Sequence, residues 1–281
     1  CKGGFSLLTT FRIEKRNLKG LKKLVKPFIK DKLLEDYGEE KNLIVRQMVY
    51  ISYNDKINWK VVKNRAGYQS KCLVCSEDIS FPINSRLQRF VDSTFSKIMT
   101  NNFALSLLKT MENPEKLKIV YYDIDGNNKY FLTELCKLTD NFIVVTVNKK
   151  KYKEISDKLM DEMGVSLVYT DRLSRMKDAD LVIAPTQIRK ILDLNSKAIV
   201  LTSEKPCFDM NAQCYYGYSV EIPENLEKYR PEDMDSLYFA SALFSKGRQH
   251  YMAELIPKTT YNENCTCTVK SMGKYLAKAV V

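Results

Sequence analysis

The pattern of apolar and polar positions is most regular between Leu117 and Ser203, where short apolar runs alternate with amphipathic segments. The runs Asn141–Val147 and Ala179–Ala184 contain the unbroken apolar blocks Phe142–Val145 and Leu181–Ala184, as strands buried on both faces do. The other strands predicted here are Lys116–Asp123, Val165–Tyr169 and Lys197–Thr202. Helices are predicted between them at Lys129–Leu138, Lys151–Met163 and Thr186–Leu192. This alternation predicts an α/β fold with a Rossmann-like parallel sheet covered on both faces.

The first third of the chain predicts a smaller α/β unit. Its pattern indicates strands at Phe5–Ile13, Leu43–Ser52 and Tyr68–Val74. Helices are expected between them at Leu18–Tyr37 and Asp55–Asn64. In the first of these helices the apolar residues recur at helical spacing, so the dense lysines between them form its solvated face.

The remaining segments are predicted to be mainly helical. Leu87–Met111 carries one broad apolar stripe, with Asn84 or Ser85 able to cap it, and it predicts a buried linking helix. After Pro206 the α/β pattern is lost and loop and helix patterns follow. The predicted division is therefore a small α/β domain at 1–85, a linking helix at 86–112, a Rossmann-like domain at 113–205 and a helical C-terminal appendage at 206–281.

Charge and hydropathy indicate which kinds of ligand and which cellular location the sequence favours. The formal net charge is +11, but the excess lysines are spread along the chain, which favours solvated surfaces over a nucleic-acid patch. A small anionic ligand remains compatible with this charge. No run approaches the ~20 apolar residues of a membrane helix, and the first residues lack a hydrophobic signal core. We expect a cytoplasmic protein that does not cross a membrane.

The eight cysteines are expected to be free thiols. Cys72 and Cys75 have metal-ligand spacing, but they fall in a predicted strand, where such side chains do not converge without a turn. Cys265-x-Cys267 lies far away in sequence. His250 is the only histidine, which excludes a histidine-rich metal site. No metal ligand is assigned.

A family resemblance appears in the second half of the Rossmann-like region. The segments Val144–Tyr152, Gly164–Leu167 and Lys177–Thr186 resemble the nicotinamide-binding domain of the shikimate dehydrogenase and glutamyl-tRNA reductase kind. The resemblance covers about a third of the chain. It implies that Asn148 and Lys149 meet the ribose phosphate of the cofactor, and that Pro185 and Thr186 border the nicotinamide.

The first strand departs from that family. A dinucleotide-binding strand runs into Gly-x-Gly-x-x-Gly or Ala, because the backbone must approach the pyrophosphate closely. Here the stretch is Asp123-Ile-Asp-Gly-Asn-Asn, with Gly126 alone and two carboxylates where the phosphates would lie. Tight NAD(P) binding is therefore not expected. The candidate ligand-contacting residues are Asp123, Gly126, Asn148, Lys149, Pro185 and Thr186.

The same carboxylates permit another interpretation. Asp123-x-Asp125-Gly126 resembles the haloacid dehalogenase-type phosphatases, which implies that Asp123 attacks phosphorus and Asp125 handles the leaving group's proton beside Mg²⁺. Thr146 and either Asp178 or Asp180 would complete that site. Asn127 departs from the family, which has Thr or Val there. Asp180 also lies at the amino end of its strand, just before Leu181–Ala184, which places it at the opposite edge of the sheet from Asp123.

A third interpretation makes Asp123–Asn128 an ordinary turn in which Asn127 or Asn128 caps the next helix. Three functions therefore remain open from the sequence. The first is a non-catalytic scaffold or weak binder of a nucleotide-like or small anionic ligand. The others are an NADP-linked oxidoreductase and a Mg²⁺-dependent phosphatase. No catalytic residue is assigned.

Overall fold

The structure is a computed structural model that describes residues 6–16, 29–40, 43–53, 56–92, 94–129, 131–247 and 257–279. Its strands are β1 (Ser6–Lys15), β2 (Lys32–Glu40), β3 (Leu43–Ser52), β4 (Ile119–Tyr122), β5 (Phe142–Val145), β6 (Val168–Thr170), β7 (Leu181–Ala184), β8 (Ile199–Thr202), β9 (Gln213–Tyr215), β10 (Gly217–Ser219), β11 (Thr259–Tyr261) and β12 (Thr266–Thr268). Its helices are α1 (Trp59–Ala66), α2 (Phe95–Lys109), α3 (Phe131–Leu135), α4 (Lys149–Met163), α5 (Glu224–Glu227), α6 (Ser236–Gly247) and α7 (Val269–Ala279).

The chain divides into two compact units. The N-terminal unit combines Cys1–Asp92 with Ile222–Gln249, and the Rossmann-like unit combines Ser93–Glu221 with His250–Val281. Each unit is therefore built from two separate stretches of sequence. None of the helices in the described ranges has the length and apolar character that a membrane crossing requires.

The Rossmann-like unit contains one parallel sheet with the strand order β6-β5-β4-β7-β8-β9. Numbered along the chain within this sheet, the order is 3-2-1-4-5-6, which is the order of the doubly wound Rossmann fold. The predicted parallel α/β sheet is confirmed, including the pairing of β4 with β5. Its sixth strand, β9, lies after Pro206, where only loop and helix were predicted, so that prediction is wrong at this point.

The short, central parallel strands of this sheet are buried on both faces. All four residues of β4, β7 and β8 are buried. On one face Val120, Val182 and Val200 belong to a continuous apolar cluster. Helix α2 contacts β7 and β8 and buries Met99 and Phe103. Since neither face meets water, each strand can be apolar at every position.

The segment between β7 and β8 is irregular, so the helix predicted at Thr186–Leu192 is wrong. Its apolar residues Ile188, Leu192 and Leu194 still cover the sheet. Its backbone bonds to the following loop instead of to itself, since the Ile188 carbonyl accepts from the Cys207 N–H at 3.0 Å. The tertiary partner therefore replaces the helical hydrogen bond at this point.

In the N-terminal unit, β3 lies between β1, which is parallel to it, and the antiparallel β2. The helix predicted at Leu18–Tyr37 is therefore wrong over Lys32–Tyr37, which is strand, while Leu18–Phe28 lies outside the described residues. Gly38 of β2 packs so closely against the Tyr229 ring that no Cβ would fit. Pairing with β3 over the whole length of β2 outweighs the local helical pattern.

Three further predictions need correction, and the predicted end of one helix is confirmed. Gly67–Lys71 is a 3₁₀ turn where a strand was predicted, and only Leu73 and Val74 form bridges. Helix α2 begins at Phe95 with Thr94 as its N-cap, not near Ser85. The C-terminal segment 206–281 contains α5, α6 and α7, but also β9 to β12, which were not predicted. Helix α4 ends at Met163, as predicted, and Gly164 follows it with φ of 68°.

Replacing Gly273 by alanine is expected to stabilise the protein by about 0.5–1 kcal/mol. Gly273 lies in the middle of α7, where glycine costs conformational entropy. A Cβ built there meets Thr110 Oγ1 at 3.6 Å and Leu107 Cδ1 at 3.7 Å, which are ordinary contacts. Urea unfolding checks this result. Gly164→Ala is the opposite control, because its left-handed backbone should make alanine destabilising.

Candidate functional site

The candidate site is the carboxyl edge of the parallel sheet, defined here as residues 123–128, 146–148, 185–190 and 202–205. In open α/β sheets, ligands bind outside the carboxyl ends of the strands, where the strand order reverses. That reversal falls between β4 and β7, because β5 follows on one side and β8 on the other. The loops after these two strands are therefore the place to look for ligand-binding groups.

Asp123 follows β4, and its side chain is fully buried. Oδ2 accepts hydrogen bonds from the Asn128 backbone N–H at 2.9 Å and from the Tyr152 hydroxyl at 2.7 Å. Oδ1 accepts from the Asn128 side-chain amide at 3.2 Å. These three donors neutralise the cost of burying the carboxylate. Asp123 thus ties the β4–α3 loop to α4.

Two buried tyrosines complete this network. Burial, together with the neighbouring Asp123 carboxylate, raises the pKa of Tyr152, so its hydroxyl is a neutral donor. Burial likewise raises the pKa of Tyr121 well above its usual value. The Tyr121 hydroxyl donates to the Asn128 carbonyl at 3.1 Å, and its ring stacks on Phe131. Asn128 is thus bound by Asp123 at its N–H and side-chain amide, and by Tyr121 at its carbonyl.

In residues 123–128, the chain's own groups bind where the first loop of a Rossmann fold usually binds phosphate. Asp123 already accepts the Asn128 N–H ahead of α3. The Lys151 ammonium donates to the Asp125 carbonyl at 3.1 Å and to Asn127 Oδ1 at 2.8 Å. Gly126 has φ of 65°, and a Cβ there would meet Lys151 Cδ at 3.3 Å. The chain's own groups therefore occupy several of the donors and acceptors of this loop.

Asn148 and Lys149 begin α4 after β5. The Asn148 side chain is the N-cap, with Oδ1 facing the Lys151 N–H at 3.5 Å. Lys149 forms a half-exposed ion pair with Asp171 at 3.0 Å. Thr146 donates to the Ile124 carbonyl at 3.1 Å. Each of these side chains therefore already has at least one structural partner.

Pro185 and Thr186 follow β7 on the other side of the reversal. Pro185 is buried and Thr186 is half-buried. The Thr186 hydroxyl oxygen is shielded from solvent and has no hydrogen-bond partner among the described residues, and the same holds for Ser203 Oγ just after β8. The two segments are joined, because Thr202 Oγ1 donates to the Thr186 carbonyl at 3.1 Å and the Ser203 N–H to the Ala184 carbonyl at 3.2 Å.

The carboxylates required by the phosphatase hypothesis are spread over both edges of the sheet. Asp125 is exposed at the carboxyl edge, whereas Asp123 beside it is buried. Asp180 lies at the amino edge, where its carboxylate accepts from the Lys118 N–H at 2.9 Å. Asp178 lines a cavity of about 320 Å³ at that same amino edge. Within the described ranges, no three His, Cys, Asp or Glu side chains are grouped to hold a metal ion.

Sequence reasoning missed two side chains of this edge. Tyr152 was treated as part of an amphipathic helix, and nothing local shows that its hydroxyl reaches Asp123 across the sheet. The sequence did contain a signal for Ser203, because a hydroxyl residue lies at or shortly after the end of each of β5, β7 and β8. Whether such a hydroxyl is already bonded, as in Thr146, or left without a partner, as in Ser203, depends on the tertiary packing.

Comparisons with known proteins show distant likenesses in fold. No protein-family profile and no curated protein matches the sequence. A Δ1-pyrroline-2-carboxylate reductase of Thermococcus litoralis, solved with NADH and L-proline, has a TM-score of 0.27 and 16% identity over 38% of this chain and 36% of that one. An L-tryptophan dehydrogenase of Nostoc punctiforme has a TM-score of 0.33 and 12% identity over 99% of this chain and 82% of that one. The matched part thus spans about a third of the reductase, and the Rossmann-like assignment depends on the strand order of this chain.

Proposed function

We propose that the Rossmann-like unit is a binding module for a small anionic ligand, held at the carboxyl ends of β7 and β8. The observation that carries the proposal is the pair of hydroxyls, Thr186 Oγ1 and Ser203 Oγ, which have no hydrogen-bond partner at that edge. A buried polar atom without a partner costs about 1–3 kcal/mol. A ligand that accepts hydrogen bonds from both hydroxyls would offset this cost.

The charge of the surrounding loops supports an anion as the ligand. Arg189 and Lys190 are exposed in the loop after β7, and Lys205 is exposed in the loop after β8. The two loops are bonded to each other, since Gln187 Nε2 donates to the Lys205 carbonyl at 2.9 Å. A carboxylate or phosphate near the hydroxyls would therefore have Arg189 and Lys190, in the same loop as Thr186, as counter-charges, whereas Lys205 already pairs with Glu263. The net charge of +11 acts in the same direction.

A nucleotide is the second candidate ligand, and the strand order is what favours it. The order 3-2-1-4-5-6 is that of dinucleotide-binding domains, and the sequence resembles the nicotinamide-binding domain at Asn148, Lys149, Pro185 and Thr186. The occupied first loop, closed by Asp123, opposes pyrophosphate binding. An NADP-linked oxidoreductase therefore ranks below a binder of a smaller anion. A phosphatase has no support from the placement of Asp180.

Replacing Thr186 by valine is expected to have opposite effects on stability and binding. Without ligand, the variant should be about 1 kcal/mol more stable, because valine has the same shape and no buried hydroxyl. Its affinity for inorganic phosphate should fall at least about tenfold, since a hydrogen bond to a charged group contributes about 1.5–3 kcal/mol. Urea unfolding and calorimetric titration with phosphate measure the two effects.

Thr202→Val is the matched control one strand away. Thr202 Oγ1 donates to the Thr186 carbonyl and lies 3.3 Å from the Glu204 carbonyl, so this variant should be destabilised by about 1–3 kcal/mol. Equal phosphate affinity in Thr186→Val and the parent protein would refute the proposed site. Low-micromolar binding of NADPH, on the order of −8 kcal/mol, would instead favour the oxidoreductase.

A further inference from the structure

A second group of reactive side chains in the Rossmann-like unit lies on the β11–β12 hairpin. The sulfurs of Cys265 and Cys267 both contact the hydroxyl of Tyr215 in β9, at 3.7 Å and 3.3 Å. Cys265 is exposed, Cys267 is half-buried and Tyr215 is buried. Two thiols therefore share one oxygen atom as a neighbour, and one of them faces solvent.

The hairpin turn holds Cys265 in this position through Asn262. Asn262 Oδ1 accepts from the Cys265 N–H at 2.9 Å and lies 3.4 Å from Cys265 Sγ. Its side-chain amide donates to the Cys214 carbonyl at 2.8 Å, which connects the turn to β9. The arrangement places the exposed thiol beside Tyr215 through several hydrogen bonds and not through a single contact.

The spacing of the two cysteines permits a bond between them. Cys265 lies in the turn just before β12 and Cys267 lies in β12; on an extended backbone, residues two apart have side chains on one face and Cα atoms about 6.6 Å apart. Disulfides bridge Cα separations of about 4.4–6.8 Å and Cβ separations of about 3.5–4.5 Å, so the turn must bend to bring the two Cβ atoms together. A disulfide formed here would be strained, and strained disulfides are easily reduced again.

Tyr215 can assist because its hydroxyl remains protonated. Burial, together with its hydrogen bonds to the two cysteines, raises the pKa of Tyr215. A neutral hydroxyl can donate a hydrogen bond to a thiolate sulfur that forms at Cys267, 3.3 Å away. Tyr215 touches both sulfurs but forms no bond to the reacting disulfide, so it is a positioning residue.

We propose that Cys265 and Cys267 form a thiol–disulfide exchange site that reacts reversibly with low-molecular-weight disulfides. The Cys265 thiolate attacks one sulfur of the external disulfide, forming a mixed disulfide and releasing one thiolate, which takes up a proton. The Cys267 thiolate then attacks Cys265 Sγ, forming the Cys265–Cys267 bond and releasing the second thiol. Two protein thiols are oxidised and one external disulfide is reduced to two thiols.

Incubation of the full chain with glutathione disulfide, followed by acid quenching and tryptic mass mapping, tests this. Cleavage after Lys258 and Lys270 yields one peptide, 259–270, in which Cys265 and Cys267 are the two cysteines. Its mass should fall by two hydrogens, and reduced glutathione should restore it. Cys267→Ser should trap one glutathione on Cys265, and Cys265→Ser should react slowly because Cys267 is half-buried.

Two further variants separate the site from general thiol reactivity. Cys207→Ser removes an exposed cysteine elsewhere and should leave the change in peptide 259–270 unaltered. Tyr215→Phe should slow formation of the internal disulfide about threefold to tenfold, the effect of one lost hydrogen bond. Two glutathiones on peptide 259–270, or a disulfide joining two protein chains, would overturn the proposal.

Discussion

Replacing Asp123 by alanine is expected to lower the free energy of unfolding of the Rossmann-like unit by about 3–5 kcal/mol. The substitution leaves the Asn128 N–H, the Asn128 amide and the Tyr152 hydroxyl without their acceptor inside the protein. Hydrogen exchange of the β4 amides during urea unfolding measures the effect in this unit. A loss below about 1 kcal/mol would contradict the structural role assigned to Asp123.

Two other variants provide reference values for the loss of stability expected in Asp123→Ala. Asp125→Ala alters an exposed carboxylate two residues away, so its effect should stay within about 0.5 kcal/mol. Tyr152→Phe removes one donor to Asp123 and keeps the ring, so it should cost about 1.5–3 kcal/mol. If Asp123 were a catalytic group awaiting substrate instead, its loss would leave stability nearly unchanged or raise it. The order of the three variants in loss of unfolding free energy therefore distinguishes a structural role of Asp123 from a catalytic one.

Replacing Arg46 by alanine is expected to cost the N-terminal unit about 3–4 kcal/mol. Arg46 is largely buried in β3 and donates to Thr9 Oγ1 of β1, its partner in the sheet register, at 3.1 Å. It also donates to the carbonyls of Arg65 and Ala66 at 3.0 Å each, where α1 ends. One guanidinium therefore holds two strands and satisfies two carbonyls of a helix end.

Trp59 provides a local readout for this prediction. It is the chain's single tryptophan, at the start of α1, and its ring packs edge-on against Phe81 at 5.6 Å. Its fluorescence should therefore report unfolding of the N-terminal unit. Arg65→Ala is the matched control, because that side chain is 66% exposed and should change stability little. Arg46→Lys should recover part of the loss, since one ammonium cannot reproduce the guanidinium fork.

The candidate site shows which of its features the sequence predicts and which depend on the tertiary structure. The sequence indicated that Asp123, Asn148 and Thr186 lie at the ends of three apolar strands, and the parallel sheet does bring those strand ends to one edge. It could not show that Asp123 is buried under Tyr152, which is 29 residues away. The same local spacing of Asp123 and Asp125 suits a turn, a phosphatase motif or a damaged nucleotide loop. Only the hydrogen-bond partners distinguish these cases.

The sequence by itself determined the α/β class and the parallel sheet, because strands buried on both faces are apolar at every position, and this is visible locally. It also determined the end of α4 at Gly164, since a left-handed residue favours glycine. The tertiary structure alone decided that Lys32–Glu40 is a strand, that 185–198 is irregular and that β9 joins the sheet. In each of these segments backbone hydrogen bonds go to a partner outside the segment: β2 pairs with β3, the loop 185–198 bonds to Cys207, and β9 pairs with β8. The energy of that pairing exceeds the small local preference for helix or loop.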